Sequence, residues 1–169
     1  PIIELSGKTL GILGYGELGQ AVAKLAEAFG MRVLVGNLPN RPQADSTRVG
    51  FDDLLAQSDF ISLHCPLTDD TRDLIDAQAF AKMKKRAFLI NCARGGIVNE
   101  AALADALKQG EIAGAATEVL TVEPPKEGNV LLEARLPNLI ITPHSAWGSV
   151  EARQRMVQQL VENAQAFQA

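Results

Sequence analysis

The sequence lacks the features that mark nucleic-acid-binding, membrane and secreted proteins. It has no run of lysine or arginine, and its formal net charge is −4, so no extended surface attracts phosphate backbones or anionic lipid. No apolar stretch reaches the roughly 18 residues of a spanning helix, and no charged-then-apolar leader resembles a signal peptide. We therefore expect a cytoplasmic protein with no nucleic-acid or membrane partner.

Cysteine and histidine are scarce, with two of each in 169 residues. Cys65 and Cys92 lie in or beside apolar runs and show no metal-ligand spacing, so we expect two buried thiols and no metal site. The length suits one compact domain with a sizeable core, and two full domains would not fit.

What the sequence does contain is a regular alternation of apolar runs and helical patterns. The first three elements are a strand at residues 9–13, a helix at 16–29 that Gly30 closes, and a strand at 31–35. Further strands are predicted at 60–63, 87–90, 112–116 and 139–141, and further helices at 52–56, 76–83, 100–108 and 149–167. Continuous apolar strands separated by amphipathic helices predict an α/β fold, a doubly wound parallel sheet of Rossmann type.

The segment from Gly14 to Gly19 fits the pattern G-x-G-x-x-G between a strand and a helix. In that setting one glycine makes the turn, one lets a pyrophosphate approach, and one permits close packing, while the helix N-terminus supplies amides and a positive dipole end. An ordinary glycine turn is the alternative, which the strand-loop-helix context disfavours. We expect Glu17 to face solvent, because its charge would repel the pyrophosphate.

The end of the second strand leaves the choice between NAD and NADP open. An NAD site usually presents an acid to the adenine ribose about twenty residues after the loop, whereas this chain has Gly36 and Asn37. Asn37 can hydrogen-bond a ribose hydroxyl. Arg41 could meet a 2′-phosphate, or it could be a solvated loop charge.

Three polar side chains each follow a predicted strand: Arg94, Glu123 and His144. Because ligands bind at the carboxyl ends of parallel strands, we expect the three to share one crevice. The planar charged fork of an arginine suits a substrate carboxylate. Taken singly, each has a structural interpretation, as a helix-capping Arg, a solvated Glu and a loop His; their shared placement favours a site.

The chain resembles the D-2-hydroxyacid dehydrogenase family along its whole length. The motifs that carry the resemblance are residues 10–16, His64-Cys65-Pro66-Leu67-Thr68, residues 91–96, Val122-Glu123-Pro124 and Pro143-His144. Residues 143–153 and Glu123-Pro124-Pro125 look most like the glycerate dehydrogenase or hydroxypyruvate reductase branch. The resemblance implies that Arg94 binds the substrate carboxylate, that His144 is the acid and base, and that Glu123 is the partner of His144.

The resemblance also implies a nicotinamide dinucleotide cofactor, a small 2-keto or 2-hydroxy acid such as hydroxypyruvate or glyoxylate as substrate, and a homodimer for the full-length parent. The residues expected to contact the cofactor are Gly14, Tyr15, Gly16, Glu17, Leu18, Gly19, Asn37, Arg41, His64, Cys65, Pro66, Thr71, Cys92, Ala93, Arg94, Glu118, His144 and Ala146. The family usually has Asp where Glu118 stands, and that Asp helps to hold the nicotinamide carboxamide. The longer Glu118 side chain puts this contact in question.

These roles agree with the chemistry of ketone reduction. Hydride delivery to the carbonyl carbon leaves negative charge on oxygen, and a protonated imidazole at His144 can stabilise and protonate that oxygen. A carboxylate at Glu123 favours the protonated ring. In the reverse direction, neutral His144 would accept the alcohol proton.

Family members carry a long segment ahead of the first strand that forms most of a substrate domain, whereas only residues 1–8 precede it here. We therefore expect a fragment without its substrate domain, with a dinucleotide-binding domain over residues 1–148 and a C-terminal helix over 149–169 leading back toward the missing part. Two other functions remain: a corepressor-like dinucleotide-sensing module with the C-terminal helix as partner surface, and a methyltransferase. The complete glycine motif and the Arg, Glu, His set disfavour the methyltransferase.

Overall fold

The computed structural model describes residues 2–39 and 46–168, and these residues form six strands and six helices in alternation. The strands are β1 (Thr9–Leu13), β2 (Arg32–Gly36), β3 (Phe60–Leu63), β4 (Phe88–Asn91), β5 (Gly114–Thr117) and β6 (Leu139–Ile141). The helices are α1 (Glu17–Ala28), α2 (Phe51–Gln57), α3 (Ala77–Lys82), α4 (Glu100–Gln109), α5 (Val130–Ala134) and α6 (Val150–Gln168).

The strands form one parallel sheet in the order β2-β1-β3-β4-β5-β6. Leu13 at the end of β1 pairs with Gly36 of β2 and with Leu63 of β3, so the carboxyl ends of the three strands are level. The chain order reverses between β1 and β3. Such a switch point opens a crevice at the carboxyl ends of the strands.

Helices pack on both faces of the sheet, because successive strand residues point to opposite sides. Ile61, Leu63 and Leu89 lie in the larger core with side chains of α2, α3, α4 and α5. Leu10 and Ile12 pack on the opposite side with Ala23 and Ala26 of α1. The predicted doubly wound α/β fold is thereby confirmed.

Several boundaries differ from the predicted ones. Ala87 and Ile112 are buried as expected, but they lie just before β4 and β5 rather than in the strands. Helix α5 was not predicted. Cys65 is buried as expected, whereas the expectation for Cys92 is wrong: it is exposed, because it follows β4 at the edge where the sheet ends.

Helix α6 projects its predicted apolar face into solvent. None of its residues, all of which the structure describes, is buried, and Val150, Leu160 and Phe167 are more than two-thirds exposed. The division of the chain at residues 148 and 149 stays a prediction. Over the described part of the chain, no helix has both the length and the apolar character needed to cross a membrane.

Candidate active site and dinucleotide cleft

Each of the three glycines in the loop between β1 and α1 is suited to its position for a different structural reason. Gly14 has φ of +93°, and a Cβ there would lie 2.4 Å from the Cys65 nitrogen. A Cβ at Gly19 would lie 2.2 Å from the Gly14 oxygen, so this position must stay small. Around Gly16, by contrast, no described atom lies within 4 Å of such a Cβ. The space beside Gly16 is therefore open for a ligand's approach, as the motif predicts.

The loop borders a cleft of about 310 Å³ at the switch point. Its lining includes Gly14, Tyr15, Gly16, Asn37, His64 and Pro66. Among the described residues no side chain caps the N-terminus of α1, which leaves its first-turn amides to a ligand or to water. Glu17 is exposed, as expected. The glycine cradle and the uncapped helix thus fit the pyrophosphate of a dinucleotide.

Two of the predicted cofactor residues are held by internal hydrogen bonds. His64 is half-buried with its Nε2 2.9 Å from Ser62 Oγ, and burial lowers the pKa of its imidazole, favouring the neutral ring. Thr71 is fully buried; its hydroxyl donates to the Pro66 carbonyl and accepts the Thr68 N–H. The structure does not bring Thr71 to the cleft, because its side chain is used to shape the Pro66 loop.

Arg48, which the sequence reasoning missed, lines the cleft beside Asn37. The Asn37 N–H donates to the Val49 carbonyl at 2.9 Å, and Val49 forms a bridge with Gly36, so residue 48 is brought next to the end of β2. Arg48 does not directly follow a strand, so the rule that ligands bind at the ends of parallel strands does not indicate it. Arg41 lies outside the described residues.

His144 and Glu123 form a hydrogen-bonded pair, with 2.7 Å between Nδ1 and Oε2. The other oxygen, Glu123 Oε1, accepts the Leu120 N–H at 2.7 Å. Partial burial works to raise the pKa of the Glu123 carboxyl, but the hydrogen bonds from Leu120 and His144 and the charges of His144 and Arg94 outweigh it and lower the pKa. Glu123 is therefore held as a carboxylate beside the imidazole.

The backbone of His144 is in the left-handed region, with φ of +50°, a conformation that is uncommon for residues other than glycine and is found at functional sites. The buried Glu118 holds the loop, because its Oε1 accepts the Ser145 N–H at 2.7 Å and the Ala146 N–H at 3.0 Å. Trp147 Nε1 donates to the His144 carbonyl. At least one oxygen of Glu118 therefore serves the His144 loop, and its contact with a nicotinamide stays a prediction.

Arg94 lies in a loop that Asn91 organises from the end of β4. The Asn91 side chain accepts the Ala93 N–H at 3.1 Å and donates to the Arg94 carbonyl at 3.0 Å. The Arg94 guanidinium is exposed and its Nη1 donates to the Ala93 carbonyl. In the same loop, two effects raise the pKa of the Cys92 thiol: its own partial burial and, second, the negative charge of Glu118. Sequence reasoning named Arg94 but missed Asn91.

Glu123 and His144 are in contact beyond the carboxyl ends of β5 and β6, and Arg94, beyond β4, is near enough for its charge to lower the pKa of Glu123. A cleft of about 560 Å³ opens beside the pair of Glu123 and His144, with Pro124, Leu132 and Ile141 among its apolar lining. Within residues 2–39 and 46–168, no group of three or more His, Cys, Asp or Glu side chains is placed to hold a metal ion. The arrangement therefore places a hydrogen-bonded imidazole and carboxylate beside a cleft, with the positive charge of Arg94 nearby.

Fold and site together define a dinucleotide-binding domain of Rossmann type. The sequence profile described as "D-isomer specific 2-hydroxyacid dehydrogenase, NAD binding domain" matches residues 1–146. The chain belongs to this family.

Its similarity to named relatives covers nearly all of this chain but only about half of theirs. It is 54% identical over 169 residues to glycerate dehydrogenase of Methylorubrum extorquens, covering 100% of this chain and 52% of the relative. It is 42% identical to hydroxypyruvate reductase of Blautia hydrogenotrophica, and the match covers 99% of this chain and 52% of the relative. A solved NAD complex of a D-isomer specific 2-hydroxyacid dehydrogenase from Lactobacillus delbrueckii ssp. bulgaricus matches this chain with a TM-score of 0.80 and 36% identity. The match covers 92% of this chain and 52% of that structure's chain. The chain thus spans about half the length of these relatives.

Proposed function

We propose that the full-length protein containing this chain transfers hydride between a nicotinamide dinucleotide and a small D-2-hydroxy acid or its 2-keto acid. The observation that carries the proposal is the pair formed by His144 Nδ1 and Glu123 Oε2 at 2.7 Å, open to a cleft and close to the positive charge of Arg94. The names of the relatives, glycerate dehydrogenase and hydroxypyruvate reductase, support D-glycerate and hydroxypyruvate as a substrate pair. Glyoxylate is a further candidate.

The chain's own residues divide the work of ketone reduction. A bound nicotinamide supplies the hydride to the carbonyl carbon. Because the Glu123 carboxylate can only accept hydrogen bonds, the protonated His144 ring donates its Nδ1–H to Glu123. The Nε2–H is then left to give its proton to the carbonyl oxygen. Glu123 stabilises the imidazolium before the transfer, and in the oxidation direction neutral Nε2 accepts the alcohol proton. Arg94 has donors besides the one bonded to Ala93 and offers them to the substrate carboxylate.

The cofactor proposal includes NADP as well as NAD. The family description names NAD. Yet β2 ends at Gly36 and is followed by Asn37, and so lacks the acid that usually binds the ribose in an NAD site and would repel a 2′-phosphate. The half-buried Arg48 beside Asn37 adds a positive charge to this part of the cleft. One similar solved structure, an acyclic imino acid reductase with a TM-score of 0.85, is a complex with NADPH. We further propose a homodimer located in the cytoplasm.

The test is steady-state kinetics of the full-length protein with hydroxypyruvate and glyoxylate, following the oxidation of NADH and of NADPH. We expect His144→Ala to lower kcat by a factor of about 10² to 10⁴, with little change in the dissociation constant for NADH, because the imidazole acts on the substrate oxygen. Arg94→Ala should also raise KM for the keto acid, because it removes the carboxylate anchor.

Wild-type kinetics in both variants would refute the assigned roles. If the full-length protein binds NADH tightly but turns over neither acid, the enzyme proposal fails, and the dinucleotide-sensing alternative takes its place.

A further inference from the structure

Glu100, the first residue of α4, connects this helix to both ends of the loop that carries Glu123. Its Oε1 accepts the Thr121 N–H at 2.8 Å, and its Oε2 accepts the Asn129 side-chain amide at 2.7 Å. Asn129 Oδ1 in turn accepts the Leu131 N–H and caps α5. One carboxylate on α4 therefore holds the connection between β5 and α5 at two points.

The turn that Glu100 holds is the turn that places Glu123. The Leu120 N–H, next to that of Thr121, donates to Glu123 Oε1, while Glu123 Oε2 contacts His144. Two consecutive amides are thus bound by two carboxylates, one from α4 and one from the pair beside the cleft. The two amides belong to adjacent peptide planes that share the Leu120 Cα, so a displacement of the Thr121 amide also moves the atom to which the Leu120 amide is attached.

Helix α4 is a firm support for this contact. Asn99 caps it by accepting the Ala102 N–H, and Leu103 and Leu107 anchor it in the larger core. The Arg94 loop meets the same turn directly, since a Cβ at Gly95 would lie only 1.8 Å from the Leu120 oxygen. The relative placement of Arg94 and Glu123 is therefore set where Gly95, Leu120 and Glu100 come together.

We propose that Glu100 is a positioning residue, which fixes the turn over residues 120–123 so that Glu123 stays in hydrogen-bonding contact with His144. The inference rests on the proposed function in that it takes the pair of Glu123 and His144 as the proton-transfer groups. The hydrogen bond from the Thr121 N–H to Glu100 lies next to the one from the Leu120 N–H to Glu123, so the proposal requires that the effect of Glu100 on turnover pass through Glu123.

A double-mutant cycle in the full-length protein tests this dependence. We expect Glu100→Ala to lower kcat for hydroxypyruvate by about tenfold or more, since small misplacements of catalytic groups have effects of this order, and to leave NADH affinity within about twofold. In a Glu123→Ala background the same change should produce no further loss of kcat, because the two residues act as one unit. Glu100→Gln should recover most of the turnover, because its amide oxygen can still accept the Thr121 N–H.

Residue-resolved amide hydrogen exchange provides a readout that does not depend on turnover. In Glu100→Ala we expect loss of protection at Thr121 and also at Leu120, whose partner is Glu123. Asp105→Ala is the matched control, an exposed acid on the same helix, and should leave both amides and kcat unchanged. If Glu100→Ala does not fold, Glu100→Asp replaces it, because the shorter acid keeps the charge but cannot reach both partners.

Equal losses of kcat in the two backgrounds, or a Leu120 amide that stays protected, would reduce Glu100 to a residue of local stability and overturn the proposal. If the wild-type protein turns over no keto acid, the proposed function fails, and the exchange at Leu120 still decides whether Glu100 positions Glu123.

Discussion

At the scale of single residues, the Asp59 carboxylate joins three segments of the chain away from the site. It accepts the Thr9 N–H at the start of β1 and hydrogen bonds from Lys84 and Arg86, and its side chain is only 10% exposed. Burial works to raise the pKa of Asp59, but the bonds from Thr9, Lys84 and Arg86 and the charge of Lys84 lower it to about 2. Folding therefore favours the ionised carboxylate.

This lowered pKa predicts how stability depends on pH. The ordinary value is 3.8, so the contribution of ionised Asp59 is complete above that pH and is lost as the pH falls toward about 2. We expect Asp59→Asn to lower the free energy of unfolding by about 2 kcal/mol at neutral pH, with the difference from wild type shrinking below about pH 4. Urea unfolding of both proteins from pH 7 to pH 2.5 measures it, and a difference that does not change with pH would contradict the assignment.

A second prediction at this scale concerns Arg48 and the preference between NADH and NADPH. Its guanidinium can pair with a 2′-phosphate, which NADPH has and NADH lacks. We expect Arg48→Ala to lower affinity for NADPH by about tenfold, the size expected for a charge-assisted hydrogen bond, and to change affinity for NADH much less. Calorimetric titration with both cofactors measures this, and equal losses for the two would show that Arg48 does not select between them.

At the scale of an element, the turn from β1 into α1 offers a matched pair of glycine substitutions. Gly16 has room for a side chain and a φ of −82° that any residue can adopt. We therefore expect Gly16→Val to keep the fold but to abolish measurable NADH binding, because the side chain would occupy the path of the pyrophosphate. Gly19→Ala should instead destabilise the domain by about 1–3 kcal/mol, because its methyl group would collide with the Gly14 oxygen.

Thermal unfolding and NADH titration of the two variants separate the effects. If Gly16→Val binds NADH as the wild type does, the pyrophosphate does not approach at Gly16, and the predicted role of the motif is wrong.

The elements also show where sequence reasoning succeeds and where it ends. The strands were predictable because strands buried on both faces of a parallel sheet are continuously apolar. The choice of Arg94, Glu123 and His144 as candidates followed from the rule that such strands end at a common edge. Helix α5 has only five residues, too few to show a helical period. Cys92 was misjudged because its apolar neighbours do not reveal which side of a strand end meets solvent. Arg48 and Glu100 depend on contacts between segments that no local pattern encodes.

At the scale of the whole molecule, the site residues remain largely open to water. The His144 and Glu123 side chains are 43% and 34% exposed, Arg94 is exposed, and α6 presents an apolar face with none of its described residues buried. The glycine loop, by contrast, is complete within this chain, because Gly14, Gly16 and Gly19 and the start of α1 need no other segment. Cofactor binding and catalysis therefore make different demands on the rest of the protein.

The last prediction follows from that difference: this chain alone binds NADH but has little or no dehydrogenase activity. Hydride transfer needs the keto acid fixed against the nicotinamide in a site that excludes water. An exposed contact between an Arg and a carboxylate contributes about 1 kcal/mol, whereas binding at 1 mM requires about 4 kcal/mol. NADH oxidation with hydroxypyruvate and glyoxylate, measured for the chain beside the full-length protein, decides the matter. Comparable turnover by the chain alone would show that its exposed Arg94, Glu123 and His144 already form a complete site.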